Sequence, residues 1–164
     1  MTTLTAAQVK QCRLMFADIA PQATITFKTT GTKKGYISYN PFVGVTRIMI
    51  YNAEWSTGPS FGYSDFEGKR LTHNKDVMQV VFHELGHIVQ KDLGHYSNSY
   101  AFNEITTEYV SCMLRQKSFN EISSYRYMQS WMKQLKNGEY DKLAQAIKEL
   151  YPAVKKHLEK WSLL

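Results

Sequence analysis

Cysteine is scarce in this chain: among 164 residues only Cys12 and Cys112 carry a thiol. Two cannot form the disulfide framework of a small secreted scaffold. Both sit in helical patterns, where buried free thiols are expected. No run approaches 18 consecutive apolar residues, so no transmembrane helix is expected. The opening residues, MTTLTAAQVKQC, lack the basic start and unbroken apolar run of a signal peptide. A cytoplasmic location without a membrane partner is the corresponding expectation. Internal repeats and low-complexity segments are also missing. So is a basic tract interleaved with aromatics: the net charge is +6, but its clusters, Lys33-Lys34 and Lys155-Lys156, are short. The charge reads as a solvated surface, and a nucleic-acid partner has weak support.

What the chain has in quantity is aromatic residues, with eleven Tyr, eight Phe and three Trp. That composition and length fit one folded domain over residues 1–164. Residues 3 to 20 read as an amphipathic helix with a capping box at Thr5-Ala6-Ala7-Gln8, ended by Pro21. Three β-rich runs follow, Ala23–Phe27, Tyr36–Tyr39 and Val45–Tyr51, with turns at Gly31–Gly35 and Asn40-Pro41. A small antiparallel sheet is the natural reading. Residues 53 to 74 look like a long surface loop. Helices are expected over about 76–92, 100–117, 120–136 and 140–161, with Gly94 beyond the end of the first. The fold class is α+β.

The first of those four helices holds His83-Glu84-Leu85-Gly86-His87. Residues four apart on a helix lie about 40° apart and one turn above each other, so His83 and His87 can bind one zinc ion together. Glu84 lies about 100° round from His83, near the metal without competing for it, where it can take a proton from water. Val77, Met78, Val81, Phe82, Leu85, Ile88 and Val89 cluster opposite the histidines. One face should therefore enter a core while the imidazoles turn toward a cleft. Gly86 costs about 1 kcal/mol in a helix interior relative to alanine, and a close approach by another segment would justify it.

Catalytic zinc sites usually have three protein ligands and a water. The next helix carries Glu104 and Glu108 on one face. If the two helices pack antiparallel across Gly94, one glutamate should reach the metal. The other can accept a hydrogen bond from the far nitrogen of a ligating histidine. His95 is a rival third ligand. The longer three-histidine signature, however, needs glycine and histidine where this chain has Gln90 and Leu93.

With HExxH followed by Asn103-Glu104 and a second acid at Glu108, the chain resembles the gluzincins. The resemblance implies a zincin-like fold, Zn²⁺ as cofactor, Glu104 as third ligand and Glu108 as its supporting acid. A closer likeness is to the zincin-like domain of ArdC-type plasmid antirestriction proteins and phage polyvalent proteins. It covers roughly residues 36 to 160 and rests on the strand and loop leading into the HExxH helix, the Glu-x-x-x-Glu helix, and the tail from Tyr127 to Lys136. Their upstream single-strand DNA-binding domain has no counterpart in these residues. The implied activity is peptide-bond hydrolysis with Glu84 as general base and a polypeptide substrate. The strand Val45–Tyr51 should then lie at the cleft edge. His95, Tyr96, Tyr100 and Tyr127 are candidates to stabilise the oxyanion. The alternatives are a catalytically idle, zinc-stabilised protein-binding domain and a nucleic-acid-associated module.

Overall fold

A computed structural model describes residues 3–30, 34–53, 59–64, 70–72, 76–115 and 124–164. The chain opens with α1 (Ala6–Ile19). The Thr5 side chain accepts from the Gln8 amide, and the Gln8 side chain accepts from the Thr5 amide, completing the expected capping box. Three strands follow, β1 (Thr24–Lys28), β2 (Gly35–Asn40) and β3 (Gly44–Tyr51). Their spatial order is β1-β3-β2, with β2 antiparallel and β1 parallel to β3.

The sheet is therefore mixed, not antiparallel. A tight turn after Asn40, whose side chain accepts from the Phe42 amide, folds β2 back onto β3. β1 joins the opposite edge of β3 only after the intervening chain has crossed over. Parallel pairing needs a connection of about a dozen residues, and residues 29–43 supply it. The same order corrects the expected place of Val45–Tyr51. β3 is the central strand, with both edges paired, and its Ile48, Met49 and Ile50 are all buried.

Two further strands, β4 (Pro59–Ser64) and β5 (Arg70–Thr72), pair antiparallel within the stretch expected to be loop. Four helices complete the fold: α2 (Val77–Asp92), α3 (Tyr100–Leu114), α4 (Ser124–Met132) and α5 (Glu139–Lys160). The architecture is α+β. The expected turn at residues 31–33 and the expected helix start at Asn120 lie outside the described residues.

α2 begins where the sequence places it, since the Asp76 side chain accepts from the Gln79 amide. It ends in a turn at Gly94, whose φ of +73° suits a residue without a Cβ. The main core packs Met15 and Phe16 of α1, Ile48 and Ile50 of β3, the apolar residues of α2, and Leu150, Val154 and Leu158 of α5. A smaller cluster joins Phe102 and Ile105 of α3 to Met128 of α4 and Leu143 of α5. Cys12 and Cys112 are buried and form no disulfide. No helix among the described residues is long and apolar enough to cross a membrane.

Candidate metal centre

α2 has no solvent-facing side over most of its length, because every residue from Val77 to Gln90 is buried. Its histidine face, expected to line a cleft, packs instead against α3. The two helices run antiparallel, so their contacts climb one helix as they descend the other. Arg115 at the end of α3 pairs with Asp76 at the start of α2. The Gln79 amide group then donates to Glu108 Oε1 and to Cys112 Sγ. His83 and His87 come next along the seam, and Gln90 last, donating from Nε2 to the Asn103 carbonyl at 3.4 Å. This seam is polar because α3 presents Asn103, Glu104, Thr107, Glu108 and Ser111 to the interior, all buried. Buried polar groups persist when they are partnered, and these contacts partner several of them in sequence along the seam.

Three donor groups converge at its middle. His83 Nε2 lies 3.2 Å from Glu104 Oε2. His87 Nε2 lies 2.8 Å from Glu104 Oε1, and the two Nε2 atoms are 3.1 Å apart. One donor atom from each of the three residues falls within 4.8 Å of every other, so this buried group can hold a metal ion. The far side of His83 is fixed by Glu108, whose Oε2 is 2.6 Å from Nδ1. Glu104 thus stands at the convergence point and Glu108 behind the ring.

Electrostatics agree with a site built around charge. Burial opposes a proton on His83, but hydrogen bonds to Glu104 and Glu108 outweigh it and raise the imidazole pKa to about 10. Burial likewise works against the Glu104 carboxylate. The hydrogen bonds and charges of His83 and His87 nevertheless hold it well below the usual carboxylate range. In the metal-free protein a proton therefore sits where a cation would, and metal uptake must expel it.

The loop from α2 to α3 is tied down by Asn103, which accepts from the Ser97 amide at 2.9 Å and donates to the Ser97 carbonyl at 2.8 Å. That places Tyr96 edge-on to the His87 ring, with centroids 6.2 Å apart. The Lys91 ammonium lies over the rings of both Tyr39 and Tyr96 and braces the loop against β2. Tyr100 is the first residue of α3, one turn before Glu104. Burial first, and then the Glu104 charge, raise its phenol to about 12 and also raise that of Tyr96. Of the expected oxyanion candidates, Tyr96 and Tyr100 stand beside the donor group. His95 turns away and pairs with Glu149 of α5 at 2.6 Å, which also removes it as a third ligand. The Tyr127 side chain lies outside the described residues.

Gly86 owes its place to α3. A Cβ there would stand 2.8 Å from Thr107 Cγ2 and 3.3 Å from its hydroxyl. Thr107 is fully buried and β-branched, so it cannot swing aside. Gly86→Ala gains about 1 kcal/mol of helix propensity but pushes the helices apart, at a cost of about 1–3 kcal/mol. The expected net result in urea unfolding is a loss of about 1 kcal/mol, with weaker metal uptake because Glu104 is carried away from His87.

Gln90 and Thr107 are the residues that sequence reasoning missed. Gln90 was legible only as the place where a longer signature would have glycine. The available signal was its position three residues after His87, on the same helical face. Searches of protein-family models, curated proteins and solved structures return no match to this chain.

Proposed function

We propose that this chain is a zinc-dependent metallopeptidase of the zincin type. The observation that carries the reading is the combination of three donors, His83, His87 and Glu104, with a further buried acid, Glu84, next to His83 on α2. A purely structural zinc site is closed by four protein ligands, whereas a hydrolytic one keeps a position open for water. Among the described residues this group offers three. Glu84 follows His83 on α2 and is buried, and its charge contributes to the raised pKa of both phenols, Tyr96 and Tyr100.

His83, His87 and Glu104 would hold Zn²⁺, which would supply a lowered water pKa, toward ~7, and polarisation of a carbonyl oxygen. In this reading Glu84 takes the proton of the attacking water and later delivers it to the leaving amine. Tyr96 and Tyr100, held protonated, donate to the oxygen that gains charge. Glu108 keeps the Nε2 side of His83 directed at the centre. An extended peptide can add to the edge of β2 that no described strand pairs, on the strand whose Tyr39 reaches Lys91 of α2.

Metal analysis on untagged protein, coupled to a peptide-library assay, tests the proposal. The expected result is one zinc per chain, with hydrolysis lost to a chelator and recovered on adding Zn²⁺. Zinc held without turnover on any peptide would favour an idle, metal-stabilised binding domain. Protein that takes up no metal on reconstitution would end both readings.

A further inference from the structure

The two histidines are supported by different chemistry. Behind His83 stands a carboxylate, Glu108, at 2.6 Å. Behind His87 stands a neutral amide: Gln90 Oε1 lies 3.0 Å from Nδ1. The orientation of that amide is determined. Its nitrogen faces the Asn103 carbonyl, which can only accept. Its oxygen also accepts from the Thr107 hydroxyl at 2.9 Å. Gln90 is 1% exposed, so water cannot substitute for either contact. An amide oxygen has two lone pairs, and these two donors use both.

We propose that Gln90, locked by Thr107 and Asn103, is a positioning residue that selects the metal-ready tautomer of His87; this rests on the metal reading above. With Nδ1–H donating to Gln90, Nε2 is the ring atom left to ligate a metal once its own proton is expelled, and it faces Glu104 and His83. The neutral amide also suits the charge balance. A divalent cation beside the buried carboxylates of Glu84, Glu104 and Glu108 already leaves one negative charge in surplus, and a further acid behind His87 would add a second in a buried seam. The asymmetry between an acid behind one ring and an amide behind the other is thus a feature of the centre itself.

The test titrates metal-free, full-length protein with Zn²⁺ against a chromophoric chelator, and with Co²⁺ by visible absorption. Wild type is compared with Gln90→Leu, Gln90→Glu and Thr107→Val. Gln90→Leu removes the acceptor, and Zn²⁺ binding is expected to weaken about 10–100-fold with a changed Co²⁺ spectrum. Gln90→Glu restores an acceptor and should bring affinity back to within about threefold of wild type. Its metal-free form should nonetheless melt lower, because it buries an extra charge. A merely structural role would move affinity and melting temperature together in both variants. Thr107→Val keeps the contact with Gly86 and loosens only the lock, so it weakens binding in the same direction by less. If Gln90→Leu does not fold, Gln90→Glu and Thr107→Val carry the comparison. Wild-type affinity in Gln90→Leu, or Gln90→Glu binding as weakly as Gln90→Leu, overturns the proposal while leaving the metal site standing. Wild type that binds neither ion overturns both.

Discussion

Replacing Glu84 with glutamine lowers peptide hydrolysis about a thousandfold while zinc content stays at one per chain. The expectation follows from what the substitution keeps. Glutamine has nearly the shape of glutamate, so the packing of α2, where Glu84 is buried between the two histidines, is preserved. His83, His87 and Glu104 are untouched, so the donor group that can hold the metal remains. What disappears is a group able to accept a proton from water and pass it on, a function that contributes about 10²- to 10⁴-fold in rate. The informative measurement is zinc content and turnover on the same sample. Loss of both would mean that Glu84 supports the structure of the site. Turnover surviving at the wild-type rate would remove Glu84 as the base and with it the hydrolytic mechanism.

The parts of the site that the sequence displayed are those fixed by helical periodicity. Asp76 as a cap, Gly94 as a stop and the four-residue step from His83 to His87 are local patterns, and each appears in the fold as expected. The four-residue step from Glu104 to Glu108 became informative only with the antiparallel packing of α2 and α3, which the short turn at Gly94 favours. That packing separates the roles of the two acids, placing Glu104 among the donors and Glu108 behind His83. Other features depend on contacts distant in sequence. The parallel pairing of β1 with β3 leaves no mark in either strand, because both are short, β-rich runs that could pair in either sense. The β4–β5 pairing is masked by a composition of Gly, Ser and aromatics that also suits loops. The burial of the polar face of α2 was hidden for a different reason. Histidine and glutamine normally signal solvent, and only a partner helix bearing matching polar groups makes their burial affordable. Gln90 belongs to this last class: its meaning lies in Thr107 and Asn103, on another helix.

Glu108→Leu should be the most damaging single change to the metal-free protein, and its effect should depend on pH. His83 in the folded chain has a pKa of about 10 against an ordinary value of 6.5. The folded state therefore binds that proton more tightly than the unfolded chain does. The resulting stability is fully present below pH 6.5, declines as the pH rises, and is gone above about 10. Glu104 has the opposite sign. Its depressed pKa contributes above its ordinary 4.5 and is lost as acid protonates it. The metal-free protein should therefore be most stable between these limits, near pH 5 to 6. Leucine at 108 leaves the charged His83 without the carboxylate 2.6 Å from its Nδ1. Breaking a buried pair in this way costs about 3–5 kcal/mol. Urea unfolding at pH 6 should show a loss of that order, and the gap from wild type should narrow by pH 10, where wild type is itself giving up the proton. Saturating zinc should flatten the alkaline decline in wild type, because the cation takes the place of the proton on Nε2. An equal deficit at pH 6 and pH 10 would mean that Glu108 acts through packing alone, and that the charge it shares with His83 contributes nothing to the fold.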